Sequence, residues 1–396
     1  MKVLILCTSL YGGGAEKIVS LISQKLVPSP LIGIFNKKPK QHPYGGHIIN
    51  LKFGPANNFL FKIVNSIKRI YIVKKLKERY KPDIVISFMQ GPNLLNVLTK
   101  KKERVIISIR NNDVDKYTKA SGAFLYFEHL LLKYLSNRAD SIISVSKALV
   151  PLISKEYGIK DKSKIRAIQN GCDIQYIKAQ MSKELPASYL PIFEGPTIMT
   201  VGKLETQKGH MDLLKIFYHV RKQCSNSKLI ILGQGSLKNN LIGYAESLGL
   251  NVCTSMESQM EAKSDVYFLG FQANPYAFMS RADLFVLSSL YEGFPNVLLE
   301  AMACDLPIVS SDCPTGPREI LTEGNNLFGK LLPMINNSSL NTNLSTDEVE
   351  WVNTISSILT EKGINSKLRE LSRERVSSFD LDFLTSKWEE LINAEQ

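Results

Sequence analysis

The segment that decides the fold lies in the second half of the chain, between residues 283 and 302. A short apolar stretch, Asp283 to Leu287, predicts a buried strand, and residues 291–302, which read YEGFPNVLLEAM, predict a turn followed by a helix. Pro295 suits the first turn of that helix, where its missing N–H costs nothing. A strand, a Gly-Pro turn and a helix in this order form one repeat of a parallel α/β fold.

The predicted start of this helix carries the groups of an anion site. Its free backbone N–H groups, over residues 294–297 with Pro295 excepted, can bind a diphosphate. Glu292 precedes the helix and Glu300 lies in its second turn. Two carboxylates so placed could bind sugar hydroxyls on either side of a diphosphate. The alternative is a helix cap with a solvated glutamate.

The same alternation of short apolar strands and amphipathic helices runs through the whole chain. It predicts strands near 2–8, 30–35, 83–87, 104–109, 140–144, 165–168, 197–202, 227–232, 265–269, 283–287 and 307–309. It predicts helices over 57–80, 121–136 and 146–156, and helices that start near 208, 235, 274, 296 and 317. This pattern indicates an α/β fold of two Rossmann-like, doubly wound domains that face each other across a cleft.

We expect two domains and a returning helix. Residues 1–178 form the first predicted domain and residues 179–377 the second, because Lys183 to Pro186 and Pro191 interrupt any regular pattern at the join. A C-terminal helix over 378–396 can pack back on the first domain.

Length and composition agree with two globular domains. The chain has 396 residues, of which 44% are hydrophobic and 22% are charged, so disorder is excluded for most of it. No stretch approaches the ~20 apolar residues of a membrane-spanning helix. The apolar run at residues 1–7 leads into a glycine loop without a cleavage site and predicts a strand rather than a signal peptide. The six scattered cysteines predict reduced thiols in a cytoplasm.

Charge is distributed unevenly along the chain. Residues 1–180 carry 31 Lys and Arg against 11 Asp and Glu, whereas residues 181–396 carry 18 against 26. The first half therefore faces an anionic partner, such as a membrane surface, a phosphorylated substrate or a nucleic acid. No nucleic-acid recognition motif accompanies the charge, so we expect no nucleic acid.

The predicted helix at 57–80 is basic and amphipathic. Such a helix can lie on an anionic membrane, and the residues that would contact lipid headgroups are Lys68, Arg69, Lys74 and Lys75. The alternative is a surface helix that packs its apolar face on the sheet.

Five further segments place glycines or cations after predicted strands. They read GGGAE at 12–16, IQNGCD at 168–173, VGKLETQKGH at 201–210, LIILGQG at 229–235 and DCPTGPREIL at 312–321. Gly202 lets the backbone approach a ligand, and Lys203 and Lys208 are spaced to bracket a diphosphate. The GGGAE loop alone could be a simple turn or a dinucleotide phosphate loop, but the G-x-G-x-x-G spacing is absent.

In this order the six segments resemble the motifs of retaining glycosyltransferases with the GT-B fold. These form the large E-x7-E family, glycosyltransferase family 4-like, which includes enzymes of bacterial lipid-linked oligosaccharide and O-antigen synthesis. The resemblance spans most of the chain. Lys203 stands where the family usually has Arg, and Cys172 where it has an aliphatic residue. The connection at 251–264 is longer than expected, which weakens the assignment of the base site near Phe271.

The resemblance implies a role for each matching residue. Glu300 would hold the ribose hydroxyls, Glu292 would contact the transferred sugar, and Lys203 and Lys208 would stabilise the leaving diphosphate. We therefore expect catalysis by Glu292, Lys203 and Lys208. The implied donor-binding residues are Gly13, Gly14, Gly202, Gly233, Phe271, Gly293, Phe294, Pro295, Asn296, Val297 and Glu300.

Arg110 ends the predicted strand at 104–109 and is a candidate contact for an acceptor diphosphate. A structural salt bridge is the alternative.

The function implied by the resemblance is transfer of a sugar, with retention, from a UDP-sugar to an undecaprenyl-diphosphate-linked saccharide in bacterial glycan biosynthesis. The CPTGP segment suggests N-acetylgalactosamine, another hexosamine or galactose. The first domain would bind the acceptor and face the membrane, and the second would bind the donor. The enzyme would be cytoplasmic and peripheral on the inner face of the cell membrane. The alternatives are a sugar-nucleotide epimerase of the same fold and a non-catalytic nucleotide-sugar-binding partner.

We expect neither a metal nor a cofactor. Asp113-Val114-Asp115 matches the D-x-D metal motif of the other major glycosyltransferase fold, but it lies in a polar loop away from every donor motif. The five histidines show no ligand spacing.

Overall fold

The computed structural model describes residues 1–11, 13–36, 43–51, 59–110, 130–131, 133–254, 264–335 and 342–394, with the backbone alone for residues 59–63. The chain forms two compact units, Met1–Gly171 with Leu381–Gln396, and Cys172–Asp380. The chain therefore crosses between the units after Gly171 and again after Asp380. The sequence pattern places these two crossings after residues 178 and 377.

The first unit is built on a parallel sheet, which has seven strands in the described residues. They are β1 (Val3–Cys7), β2 (Leu31–Ile34), β3 (His47–Asn50), β4 (Ile84–Phe88), β5 (Arg104–Ile109), β6 (Ser141–Ser144) and β7 (Ile165–Ala167). Their spatial order is β3-β2-β1-β4-β5-β6-β7. The strand order reverses between β1 and β4, and ligands of such sheets bind beyond the carboxyl ends at that point.

Helices cover both faces of this sheet. They are α1 (Gly14–Lys25), α2 (Phe59–Tyr80), α3 (Gln90–Leu98), α4 (Leu149–Glu156) and the C-terminal helix (Leu381–Asn393), with a short 3₁₀ turn at Lys162–Lys164. Ile5 and Ile86 pack on the face that α1 and the C-terminal helix cover, whereas Leu4 and Val85 pack on the face that α2 covers. Strand residues buried on both faces explain why these strands read as continuous apolar runs.

The C-terminal helix belongs to the core of the first unit. Its Trp388 is 0% exposed and packs against Phe88 with ring centroids 5.5 Å apart and the rings tilted by 40°. Leu384, Leu391 and Ile392 are buried with it. Each large apolar side chain contributes about 1.5–3 kcal/mol on full burial, so this helix stabilises a unit whose other residues lie at the opposite end of the sequence.

The second unit repeats the same architecture. Its parallel sheet consists of β8 (Thr197–Val201), β9 (Lys228–Leu232), β10 (Val252–Cys253), β11 (Val266–Gly270), β12 (Leu284–Leu287), β13 (Ile308–Ser311) and β16 (Lys330–Leu332). Their spatial order is β10-β11-β9-β8-β12-β13-β16, with the reversal between β8 and β12. A small antiparallel hairpin pairs β14 (Thr322–Glu323) with β15 (Asn326–Leu327).

The helices of the second unit are α5 (Ile174–Met181), α6 (His210–Gln223), α7 (Lys238–Ser247), α8 (Tyr276–Met279), α9 (Asn296–Ala303), α10 (Pro317–Leu321), α11 (Thr346–Thr360) and α12 (Lys362–Val376). Short 3₁₀ segments lie at Ala187–Phe193, Thr206–Lys208 and Ser377–Phe379. A capping box formed by Ser345 and Glu348 starts α11. Glu348 also forms a buried ion pair with Lys215, 2.9 Å long, which fixes α11 against α6.

The predicted α/β class with two doubly wound sheets is confirmed. Each predicted strand is present, but the pattern did not reveal β3, β10, β16 and the two-residue strands β14 and β15. β3 alternates exposed and half-buried residues, β10 has two residues and β16 has three, so none shows a long apolar run. The predicted helix at 121–136 lies largely outside the described residues, as do Asp113, Asp115 and residues 255–263 of the long connection.

Candidate active site

Four loops of the second unit meet at the carboxyl edge of its sheet. β9, β8, β12 and β13 are neighbours in that order and run parallel, so the loops that follow them lie side by side. These loops carry Gly233, Gly202, Glu292 and Thr315. The strand order reverses between β8 and β12, which places the predicted donor motifs around the point where such a sheet binds ligands.

Glycines allow the strand ends to approach closely. The Gly233 N–H donates to the Gly270 carbonyl at 2.8 Å, and a Cβ on Gly233 would lie only 1.8 Å from the Gly202 carbonyl oxygen. A Cβ on Gly202 would meet the Lys208 side chain at 3.4 Å. Because Gly202 and Gly233 have no side chains, a ligand could approach the backbone closely at these positions. The Lys208 side chain packs over Gly202.

Lys208 and Glu292 form the ionic centre of the site. Lys208 Nζ lies 2.5 Å from Glu292 Oε1, and the Ser289 hydroxyl donates to the same oxygen at 2.7 Å. Glu292 is only 6% exposed. A carboxylate at this depth requires a charge partner and hydrogen bonds, and Lys208 and Ser289 supply both.

Main-chain contacts hold the two loops together. The Leu290 N–H donates to the Gln207 main-chain carbonyl at 2.8 Å, and the side-chain Nε2 of Gln207 donates to the Tyr291 carbonyl at 2.8 Å. The Ser288 hydroxyl donates to the Lys208 carbonyl at 2.9 Å. Gly209 has φ of +62°, and a Cβ there would lie 2.1 Å from the Ser288 carbonyl oxygen. One main-chain N–H and two side chains therefore hold the backbone on which Lys208 and Glu292 lie.

The helix after Glu292 begins at Asn296, as the sequence predicts, but Pro295 precedes its first turn instead of lying in it. Pro295 occupies the N-cap with φ of −75° and ψ of 95°, and Asn296 is the first residue of α9. Asn296 and Val297 are half-buried in the first turn, whose N–H groups point out of the helix start. Glu300 lies half-buried in the second turn, as predicted. Phe294 is buried against Phe379, with ring centroids 5.9 Å apart.

Thr315 and Ser289 are site residues that sequence reasoning missed. The Thr315 hydroxyl donates to the Glu292 carbonyl, which ties the loop after β13 to the loop after β12. Gly316 follows with φ of +91°, and a Cβ there would lie 2.5 Å from Pro295 Cδ. Thr315 lies inside a motif that the sequence singled out, whereas nothing in the sequence marks Ser289.

Burial controls the protonation of two neighbouring groups. Burial, and then the charge of Glu292, raises the pKa of the Cys313 thiol to about 12, so this thiol stays protonated. Burial, and then the charge of Lys208, lowers the pKa of His210 to about 4, so His210 is neutral at pH 7. Among the described residues, His210 Nδ1 has no hydrogen-bond partner.

The remaining donor candidates of the second unit are accessible. Lys203 is exposed in the loop after β8, and Phe271 is 47% exposed at the end of β11. An exposed aromatic ring at the carboxyl edge of a sheet can stack on a planar base.

In the first unit, the glycine loop starts α1. Gly13 is the N-cap and Gly14 the first helical residue. A Cβ on Gly13 would lie 2.1 Å from a carboxylate oxygen of Glu16, so the Glu16 side chain folds over the loop. Gly12 lies outside the described residues.

Arg110 follows β5 at the same edge of the first unit's sheet. It donates to Asn170 Oδ1, and its guanidinium lies over the Phe88 ring at 5.8 Å. Burial lowers the pKa of Arg110 to about 9 against the opposing charge of Glu16, so the side chain is charged at pH 7. Its Nη1 has no hydrogen-bond partner among the residues that the structure describes.

The basic helix α2 divides its cations between two environments. Lys68, Lys74 and Lys75 are exposed, whereas Arg69 is half-buried and lines a cavity of the first unit. The apolar residues divide as well: Val73 is buried in the core, but Val64, Ile67 and Tyr71 are 45%, 62% and 57% exposed. In the described part of the chain, no helix is both long and apolar enough to cross a membrane.

No group of three or more His, Cys, Asp or Glu side chains that could hold a metal ion occurs within the described ranges.

Two family models match the chain, one in each half. The model for glycosyl transferases group 1 matches residues 195–344, and the model for glycosyltransferase family 4 matches residues 13–176.

Relatives match over most of the length. An uncharacterized glycosyltransferase of Methanocaldococcus jannaschii is 31% identical over 84% of both chains. A Campylobacter jejuni enzyme, N-acetylgalactosamine-N,N'-diacetylbacillosaminyl-diphospho-undecaprenol 4-alpha-N-acetylgalactosaminyltransferase, is 27% identical over 87% of this chain and 89% of its own.

Solved structures share the fold over the whole chain. Anabaena HepE in complex with UDP and glucose covers 100% of both chains with a TM-score of 0.74 and 18% identity. Sucrose-phosphate synthase from Thermosynechococcus elongatus covers 99% of this chain and 98% of its own with a TM-score of 0.75 and 18% identity.

Proposed function

The chain belongs to glycosyltransferase family 4, and from that premise we propose that it transfers a sugar, with retention, from a UDP-sugar to a lipid-diphosphate-linked saccharide. The observation that carries the donor half of this proposal is the Lys208–Glu292 ion pair at the point where the strand order of the second sheet reverses. A cation and a carboxylate held there by backbone are the groups needed to bind a diphosphate and the sugar attached to it.

The donor lies, in this proposal, along the carboxyl edge of the second sheet. Lys208, the exposed Lys203 and the start of α9 surround its diphosphate. Glu292 binds hydroxyls of the transferred sugar, and Glu300, in the second turn of α9, binds the ribose. Phe271 stacks on the uracil.

The reaction breaks the bond between the sugar's anomeric carbon and the β-phosphate oxygen of UDP. The acceptor hydroxyl forms the new bond on the same face of the sugar, and its proton passes to an oxygen of the leaving phosphate. Lys203 and Lys208 stabilise the charge that develops on that phosphate, which makes a metal ion unnecessary. No protein side chain acts as general base in this scheme.

The ion pair gives Glu292 and Lys208 linked roles. Without a donor, each charge is satisfied by the other at 2.5 Å. An arriving diphosphate shares the lysine, which leaves the Glu292 carboxylate to accept hydrogen bonds from sugar hydroxyls. The hydrogen bond from Ser289 keeps the carboxylate in place through this exchange.

The finer choices of donor and acceptor rest on the relatives. UDP is bound in the HepE structure, which supports a uridine donor. The Campylobacter relative is named as an N-acetylgalactosaminyltransferase acting on a diphospho-undecaprenol saccharide. Together with the CPTGP segment at 313–317, this supports N-acetylgalactosamine, another hexosamine or galactose as the sugar, and undecaprenyl diphosphate as the acceptor's carrier. Arg110 is the candidate contact for the acceptor's diphosphate.

A lipid-linked acceptor requires the enzyme to meet a membrane surface. α2 presents Lys68, Lys74 and Lys75 to solvent, together with an exposed apolar strip of Val64, Ile67 and Tyr71. Cations attract anionic headgroups, and apolar side chains can enter the headgroup region. We therefore place the enzyme, as part of the proposal, on the cytoplasmic face of the bacterial cell membrane.

The proposal is tested by incubating the enzyme with single UDP- and GDP-sugars and extracted bacterial lipids, followed by mass spectrometry of the lipid fraction. We expect one UDP-hexosamine or UDP-galactose to add its mass to a polyprenyl-diphosphate saccharide, and NMR of the product to show the anomeric configuration of the donor. Conversion of the nucleotide sugar to an epimer without any acceptor would contradict transfer. Binding of UDP-sugar without turnover on any lipid extract would support a non-catalytic role.

A further inference from the structure

The first unit contains a cavity that the proposed donor chemistry does not use. Its volume is about 410 Å³, within the ~300–1,000 Å³ range of small-molecule sites. Residues that line it include Thr8 after β1, Asn36 after β2, Met89 after β4 and Arg110 after β5. The cavity therefore opens at the carboxyl ends of strands on both sides of the β1–β4 reversal, where a doubly wound sheet binds its ligand.

Two side chains of α3 in the cavity wall have unused hydrogen-bonding atoms. Asn93 is only 4% exposed, and its amide nitrogen donates to the Ser108 carbonyl at 2.9 Å. Because this bond uses the amide nitrogen, the free end of the Asn93 amide is its oxygen, Oδ1. Oδ1 has no hydrogen-bond partner among the described residues. Gln90 Nε2 is also buried, and none of the residues that the structure describes forms a hydrogen bond with it. A buried polar atom without a partner costs about 1–3 kcal/mol, so these atoms indicate a ligand that bonds to them.

The unused atoms are of opposite kinds. Gln90 Nε2 can only donate a hydrogen bond, and Asn93 Oδ1 can only accept one. A fully ionised phosphate would satisfy Gln90 but would repel Asn93 Oδ1. Neighbouring sugar hydroxyls can do both, because each hydroxyl donates and accepts. Phe35 and Tyr157 also line the cavity, and such rings can cover the apolar faces of sugar rings.

The backbone at the cavity wall is held in an uncommon conformation. Met89, directly before α3, has φ of +75° and ψ of 157°. Residues other than glycine rarely adopt this conformation, because it costs them about 1–3 kcal/mol. The Thr8 hydroxyl lies 3.6 Å from Met89 Sδ, and both residues line the cavity. This conformation places Gln90 and Asn93 at the start of α3, directly over the strand ends.

We propose that this cavity binds one sugar residue of the acceptor saccharide, with Gln90 and Asn93 as its specificity-determining contacts. The identification of the sugar as part of an acceptor rests on the proposed function, whereas the binding of a sugar does not. In this arrangement Arg110, at the wall of the same cavity, remains available to the diphosphate that joins the saccharide to its carrier lipid.

The test measures binding without a donor. Methyl glycosides of N-acetylgalactosamine, galactose, N-acetylglucosamine and glucose, and inorganic pyrophosphate, are each titrated into the full chain and followed by ligand-observed saturation-transfer NMR and calorimetry. We expect at least one glycoside to bind. Gln90→Met, which removes the donor at similar size, should weaken that binding about tenfold. Gln24→Met, the same change on the exposed surface of α1, should leave it unchanged.

A second variant distinguishes a sugar-binding site from an anion-binding site. Gln90→Glu replaces a donor with an acceptor, which a hydroxyl tolerates, so glycoside binding should stay within about threefold of wild type. The same variant should abolish any pyrophosphate binding in the cavity.

Three outcomes would overturn the proposal: no glycoside binds, a glycoside binds equally well to wild type and Gln90→Met, or only pyrophosphate binds and depends on Gln90. UDP affinity, measured in parallel, reports on the donor site separately. Glycoside binding that depends on Gln90 in a protein without transferase activity would refute the proposed function and leave the sugar site standing.

Discussion

Lys208 and Glu292 are 84 residues apart in the chain, yet Lys208 Nζ donates a hydrogen bond of 2.5 Å to Glu292 Oε1. The two residues follow β8 and β12, which are neighbours in the sheet but are separated in sequence by three other strands. The fold itself therefore brings the proposed diphosphate-binding cation to the proposed sugar-binding carboxylate.

Stability should depend unequally on the two partners. Lys208→Met leaves a carboxylate whose side chain is 8% exposed without its counter-charge, and we expect a loss of about 3 kcal/mol in the free energy of unfolding. Glu292→Gln leaves the 19% exposed lysine, which can reach water, and should cost about 1 kcal/mol. Urea unfolding of both variants measures the difference. A larger loss in Glu292→Gln would contradict this account of the pair.

The two carboxylates of the donor site should affect different kinetic constants. Glu292→Ala removes a contact to the reacting sugar and should lower kcat by about 10²–10³. Glu300→Ala removes hydrogen bonds to the ribose and should raise the donor KM by about tenfold with a smaller change in kcat. Steady-state kinetics with varied UDP-sugar measures both. Glu205→Ala, an exposed carboxylate in the Lys203–Lys208 loop, is the control, and equal losses of both constants in both site variants would argue against the roles.

Acid should act on His210 and Asp212 in opposite directions. The pKa of His210 falls from 6.5 to about 4 in the folded state, so the unfolded chain binds more protons between these values and stability declines as pH falls. Burial, and then Glu348, raises the pKa of Asp212 from 3.8 to about 6, so stability increases as pH falls through that window. The two contributions offset each other between about pH 6 and 4.

Single variants should expose each contribution. Relative to wild type, His210→Gln should gain stability when the pH is lowered from 7 to 5, and Asp212→Asn should lose it. Unfolding midpoints at the two pH values decide the signs. The same sign for both variants would refute the assignment.

Transfer should proceed in the presence of a chelator. In the proposed reaction Lys203, Lys208 and the start of α9 stabilise the charge on the leaving diphosphate, so EDTA should leave the rate within about twofold of its original value. Assays with EDTA, and after addition of Mn²⁺, measure this. Activity that disappears in EDTA and returns with Mn²⁺ would direct attention back to Asp113 and Asp115.

Membrane attachment should depend on α2 and on salt. Replacement of Lys68, Lys74 and Lys75 by glutamine removes three exposed cations, each contributing about 1 kcal/mol near an anionic leaflet, so binding to anionic vesicles should fall by about 10². Vesicle flotation at low and high salt measures this loss. Lys183, Lys362 and Lys367, exposed in the second unit, give a control triple variant with the same change in net charge. Equal loss in both variants, or binding insensitive to salt, would contradict a specific role for α2.

Sequence patterns predicted most of the strands and singled out the individual motif residues, but they did not predict which residues contact each other. Lys208 and Glu292 were each predicted from their own segments, whereas their ion pair depends on the neighbouring positions of β8 and β12. Arg69 and Lys68 are adjacent cations on one predicted basic face, yet helix rotation places Arg69 at a cavity and Lys68 in solvent.

α3 shows a different limit, because it is absent from the predicted helices. Its first turn contains Gly91 and Pro92, and both are tolerated there, where the missing N–H of proline costs nothing. The structure confirms the α/β fold, and the family models and relatives confirm the glycosyltransferase family. The roles assigned to individual site residues remain predictions.

The C-terminal helix has a consequence for protein synthesis. Leu381–Asn393 leaves the ribosome only after the whole of Cys172–Asp380, which is one continuous stretch and can fold as soon as it emerges. Until then, nothing of the C-terminal helix covers the apolar residues that pack against Trp388 and its neighbours, among them Phe88 and Ile18. The unit that is made first is therefore completed last, and a nascent chain of this enzyme exposes an apolar surface to chaperones throughout translation of its second unit.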